Sequence, residues 1–95
     1  MLAPSKVVEL SEYWKEGSKE DLESARVIIY QSFLFAPGLF FLHLSLEKAL
    51  KHYYVLKFNV HAPFSQNLIS LVEVLNWDID VDLSKNLSEI NQFIQ

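Results

Sequence analysis

The chain has 95 residues, a net charge of −4 at pH 7 and no cysteine. That length makes one domain, covering residues 1–95, which buries only about 60–65% of the surface its unfolded chain exposes. The charge argues against non-specific binding to double-stranded DNA, which needs a basic surface to displace counterions. The missing thiols exclude a disulfide framework and a thiolate zinc site.

Apolar residues make up 51% of the chain, with seven Phe, four Tyr and two Trp. Two readings of that excess stay open: an aromatic-rich core, or apolar surface left for self-association. No apolar run reaches the roughly 18–20 residues of a membrane span, so no membrane partner is expected. The opening residues MLAPSKVVELSE lack the apolar core of a signal peptide. With the absence of cysteine, this fits a cytoplasmic protein.

Pro4 and Ser5 read as a lead-in, with Ser5 or Ser11 as N-cap of a long first helix. Trp14, Leu22, Ala25, Ile28, Ile29 and Phe33 recur there at helical spacing. Gly17 and Ser18 either weaken this helix or let a neighbour approach closely. Pro37 and Gly38 punctuate the chain, and a second, central helix is expected from about Pro37 to Phe58. Leu39, Leu42, Leu46, Ala49, Tyr53 and Leu56 mark its expected buried face, and Phe40, Leu44, Leu50 and Val55 widen it. A helix so broadly apolar belongs in the middle of a bundle.

After a loop broken by Pro63, Ser65 is the expected N-cap of a third helix with Leu68, Leu71, Val72 and Leu75 inward. An acidic connection with Asp78, Asp80 and Asp82 follows. It lacks the Gly and final Glu of a calcium loop. Asp82 or Ser84 is expected to cap a last helix with Leu83, Leu87, Ile90, Phe93 and Ile94 apolar. That helix has no stop signal before Gln95, so the chain reads as cut off inside it. The expected fold is all-α, an antiparallel up-and-down bundle of four helices.

The chemistry-bearing residues concentrate on the central helix. His43, Glu47 and Lys51 stand at i, i+4 spacing on one ridge, with Glu47 N-terminal to Lys51 as a helical ion pair prefers. Lys48 and His52 form a second such pair beside it. The plain alternative is a solvated ridge worth a few tenths of a kcal/mol per pair. The functional alternative is a polar seam in a groove or dimer interface, with His43 oriented by Glu47. Lys48, Lys51, His52 and Lys57 form a basic cluster where a phosphate or RNA backbone could dock beside Tyr53 and Tyr54; cations suiting the helix dipole are its plain counterpart. His43 and Glu47, with His61 or an acidic residue as third ligand, give weak metal geometry, and no His-Glu-x-x-His motif is present. No phosphate-binding glycine loop, nucleophile elbow or cofactor motif is present, so no cofactor is expected.

YWKEGSKEDLESARVII, FFLHLSLEKALKHYYV and HAPFSQNLISLVEVL, in that order, resemble the HEPN domain (higher eukaryotes and prokaryotes nucleotide-binding). The resemblance covers most of the chain, with Asp21, Glu47 and Lys48 at matching positions of the first two helices. It implies a helical bundle like the substrate-binding subunit of nucleotidyltransferases, commonly a homodimer. It implies work beside a minimal nucleotidyltransferase in a toxin–antitoxin-like pair, with nucleotide or RNA as ligand. Asp21, His43, Glu47, Lys48, Lys51 and His52 are the ligand- or partner-binding candidates, and no catalytic residue is assigned. Many relatives are metal-independent ribonucleases using Arg-x(4–6)-His in a late helix. The one arginine here, Arg26, lies in the first helix with no His within six residues after it. The expected role is therefore a non-catalytic accessory module. The alternatives are a ribonuclease whose motif lies beyond residue 95, or a structural helical dimer without ligand.

Overall fold

The computed structural model describes residues 1–77 and 81–91, and in them the protein is all-helical. Four helices follow one another: α1 Pro4–Ser32, α2 Phe35–Phe58, α3 Leu68–Leu75 and α4 Val81–Asn91. No helix among the described residues is long and apolar enough to cross a membrane.

Pro4 starts α1. Its ring presets a helical φ, and its missing N–H would be unpaired in the first turn anyway. The helix therefore begins ahead of both serines expected to cap it. Ala3 is the extended residue before it and caps nothing with its side chain. Ser5 sits in the first turn. Ser11 lies buried further along, its hydroxyl donating to the Val8 carbonyl at 3.0 Å. At 1.5 Å per residue the 29 residues span about 43 Å.

The helix runs unbroken through Gly17 and Ser18, and α2 approaches closely there. Ser18 Oγ donates to the Ser45 carbonyl at 2.8 Å, and Ser45 Oγ donates to the Ser18 carbonyl at 2.9 Å. A Cβ on Gly17 would stand 3.0 Å from Lys48 Cδ. Small residues on both sides let the two backbones approach.

Two residues, Phe33 and Leu34, connect α1 to α2. Phe33 takes the left-handed conformation, φ 55°, that ends α1. α2 then starts at Phe35, two residues before the proline expected to open it; Pro37 is tolerated in the first turn. The pairings Ser18 with Ser45 and Ser11 with His52 make the two long helices antiparallel. At the open end, Leu2 N–H donates to the Asn59 carbonyl at 2.7 Å.

α2 is central: it packs against each of the other three helices, and α3 and α4 also pack on each other. Its rotation differs from the expected one. Leu39, Leu42, Leu46 and Ala49 are half-buried, and Tyr53 and Leu56 are exposed. The buried side is Gly38, His43, Ser45, Glu47, Leu50, Lys51 and Val55. A helix apolar almost all round carries no strong directional signal, so its neighbours decide which side is covered. On α1 those neighbours include the small or polar Ser11, Gly17 and Ser18 beside Trp14 and Ile29, and Val7 and Ala25 are its buried apolar residues. Leu22 and Phe33, expected inside, are exposed.

The apolar core lies between α2, α3 and α4. Leu50, Leu68, Leu71, Val72, Leu75 and Leu87 form it, with Leu46, Tyr54 and Ile69 against its edge. The expected stripe of α3 is therefore the buried one, each fully buried side chain worth about 1.5–3 kcal/mol as an upper estimate. Asn67 caps α3 where Ser65 was expected: its Oδ1 accepts from Ile69 N–H at 3.0 Å and Ser70 N–H at 3.2 Å. Ser65 Oγ instead accepts from Asn67 N–H at 3.1 Å, holding the approach to the cap. α4 begins at Val81, which places Asp82 in its first turn and Ser84 inside it, not at the cap. Of the apolar residues expected on α4, Leu87 is buried. Asp78, Asp80, Phe93 and Ile94, and the side chains of Leu83 and Ile90, lie outside the described residues.

Gly38 is the tightest point of the hairpin, since a Cβ there would overlap Ile29 Cγ1. Gly38→Ala is expected to destabilise the protein by about 1–3 kcal/mol despite alanine's better helix propensity. Urea unfolding measures it, and an unchanged midpoint would mean that the contact is looser than described.

Candidate functional site

The row His43, Glu47, Lys51 is inside the protein. His43 is 0% exposed, and Glu47 and Lys51 are 6% exposed each. The solvated-ridge alternative therefore fails, because water does not reach these side chains. Helical spacing stacks them on one side of α2, where Trp14 of α1 meets Lys51 and Asn91 of α4 meets His43.

Lys51 Nζ donates to Glu47 Oε2 at 2.9 Å, a buried ion pair with near-ideal length. The Lys51 ammonium also lies 5.2 Å from the centre of the Trp14 ring on α1, within cation–π range. Taking two charges out of water is costly, and close pairing offsets that cost. The aromatic face adds to the compensation.

On the other side of Glu47, His43 reaches α4. Its Nε2 lies 3.2 Å from Asn91 Oδ1. The same oxygen accepts Leu68 N–H at 2.8 Å, which fixes the amide orientation and makes His43 Nε2 the protonated nitrogen. Asn91 Nδ2 in turn donates to Asn67 Oδ1 at 3.0 Å. One chain of polar contacts thus runs from Trp14 on α1, through Lys51, Glu47 and His43 on α2, to Asn91 on α4 and the N-terminus of α3. His43 Nδ1 and Glu47 Oε1 face each other at 4.0 Å. Neither has a hydrogen-bond partner among the described residues. A proton on Nδ1 would turn two facing acceptors into an ion pair.

The remaining candidates are separated from this row. Lys48 Nζ pairs with Asp21 Oδ2 of α1 at 2.7 Å, partly shielded from water. His52 Nδ1–H donates to the Ser11 carbonyl at 2.7 Å. Lys57 donates to the Leu75 carbonyl at the end of α3. The basic cluster of the sequence is therefore taken apart, each cation held by a different partner. Tyr53 packs edge-on against Trp77, ring centres 5.3 Å apart, and Tyr54 tilts against Phe58 at 4.6 Å. His61 sits in the loop after α2, beside Leu2, Lys6 and Glu9, and not with His43 and Glu47. Among the described residues no three His, Asp or Glu side chains converge as a metal site.

An outside molecule meets Asp21, Lys48 and His52 first, the half-buried members of the set. His43, Glu47 and Lys51 act on the fold. Asn91 and Asn67, which complete the row, carried no site signal in the sequence. Asn67 directly before an apolar run was legible as a cap, but nothing marked Asn91 as the partner of His43. No family model matches this chain, and no curated protein or solved structure matches it.

Removing one partner of the buried pair leaves a charge without compensation. Lys51→Met, which keeps the stem against Trp14, is expected to cost about 3–5 kcal/mol in urea unfolding, and adding Glu47→Leu should recover most of it. A small loss in the single variant would mean that Glu47 is solvated.

Proposed function

We propose that this chain is a HEPN-type accessory module that acts by non-covalent binding, not by catalysis. In this reading the four helices form an antiparallel bundle, two copies associate as a homodimer, and the module serves a minimal nucleotidyltransferase in a toxin–antitoxin-like pair, with nucleotide or RNA as the shared ligand. The matching positions Asp21 and Lys48 meet as an ion pair across α1 and α2. Glu47 is tied into the interior row, a role that suits a scaffold better than a reactive site.

The observation that carries the reading is the inversion of α2 and the hairpin. Glu47 and Lys51 are inside, and several large apolar residues of the hairpin are outside. At the α1–α2 turn, Tyr30, Phe33, Leu34 and Phe35 are all more than half exposed, Phe33 at 73%. Phe33 is also held at φ 55°, where a bulky residue costs about 1–2 kcal/mol relative to ordinary helix geometry. A strained, exposed aromatic at a turn gives the fold nothing, and glycine would serve the turn better. Surface of this kind suits a protein partner.

Light scattering tests this directly, with a dimer expected for the wild-type protein. Phe33→Gly with Phe35→Ser should give a monomer at least as stable in urea as the wild type, because glycine removes the left-handed strain, worth about 1 kcal/mol. A wild-type monomer at high concentration, or a dimer indifferent to both substitutions, would contradict the proposal.

A further inference from the structure

We propose that the cleft between α1 and α2 lined by Lys15, Ser18, Lys19, Ala49, His52 and Tyr53 is a binding site for a phosphate-type dianion. This rests on the binding-module reading above and gives it a specific ligand contact, at residues away from the buried row.

Charge is the first support. In a chain of net charge −4, this cleft has two lysines and a histidine on its walls and no carboxylate. Most other cations of the hairpin are already paired: Lys6 with Glu9, Arg26 with Glu23, Lys48 with Asp21 and Lys51 with Glu47. Lys15 has no carboxylate partner among the described residues. Lys19 has Glu16 at 3.6 Å, a pair so exposed that it competes weakly with a bound anion.

The second support is the way His52 is held. Its Nδ1–H is committed to the Ser11 carbonyl, and its ring packs edge-on to Tyr53, centres 4.9 Å apart. The ring is therefore oriented before any ligand arrives, and Nε2 is the nitrogen left over. Neutral, Nε2 is an acceptor; protonated, it is a donor to an oxyanion. The groups facing His52 are Lys15, Lys19 and the Ser11 carbonyl on α1, with Lys48, paired to Asp21, and Tyr53 on its own helix. An anion placed there lies between the oriented His52 ring and the lysines of α1.

The third support is shape. The cleft has a volume of about 140 Å³, several times the ~30 Å³ share of one water in the liquid. Ser18, on its lining, is clasped reciprocally with Ser45, which ties the lysine-bearing part of α1 to the helix of His52. A tetrahedral oxyanion fits such a cleft, and the lysine stems extend along its rim.

Amide and imidazole NMR shifts are followed while the full chain is titrated with inorganic phosphate, sulfate and AMP. Saturable shifts at Lys15, Lys19 and His52 are expected for all three. Lys15→Ala with Lys19→Ala, both on exposed positions, should weaken binding at least about tenfold, or 1.4 kcal/mol. AMP binding well above phosphate identifies a nucleotide as the source of the anion, and equal affinities identify free phosphate. His52→Gln, which removes the oriented ring, should weaken sulfate binding as well. No saturable binding of any anion, or binding indifferent to the double lysine variant, overturns the site. If light scattering still gives the dimer in that case, the self-association in the proposed function stands without this cleft. If the dimer also fails, both fall.

Discussion

Everything in this fold depends on the Glu47–Lys51 ion pair being turned inward. In a chain of 95 residues the net stability is on the order of 5–10 kcal/mol, and an uncompensated buried charge would consume much of it. The pair therefore restricts α2 to rotations that keep both groups together against Trp14 and beside His43. An apolar helix surface alone would tolerate several rotations, and the charges remove that freedom. This is the use of a buried ion pair for structural specificity, with no requirement that it add stability.

From that orientation the rest follows by contact. α1 meets the polar side of α2, so its inner surface is Ser11, Trp14, Gly17, Ser18 and Ala25, and not a leucine stripe. Close backbone approach replaces bulk there, and hydroxyl-to-carbonyl bonds replace much of the apolar burial. α3 and α4 take the leucine side. Asn91 and Asn67 join the two halves by bonding His43, the first N–H groups of α3 and each other. The apolar groups left over, above all those at the α1–α2 turn, are on the outside.

Much of the architecture was legible in the sequence. Four helices, the central place of the second and the four buried residues of α3 follow from apolar periodicity, which is strong where one side of a helix is clearly apolar. The rotation of α2 was not legible, because Leu39, Phe40, Leu42, Leu44, Leu46 and Leu50 surround the helix and periodicity points nowhere in particular. Spacing placed His43, Glu47 and Lys51 together, but spacing along one helix cannot tell inside from outside. That depends on Trp14 of α1 and Asn91 of α4 being brought against them, a long-range fact. The caps failed for a local reason: Pro4 opens its helix from the first position, ahead of the serines, and Asn67, as good a cap as serine, stands directly before the apolar run.

The inward orientation of the polar row can be tested on the histidines themselves. In native buffer, diethylpyrocarbonate labelling followed by mass spectrometry compares His43, fully buried, with His61, exposed in the loop after α2. The account predicts rapid labelling of His61 and none of His43 until denaturant unfolds the chain. Labelling of His43 in the native protein at a rate close to that of His61 would contradict it.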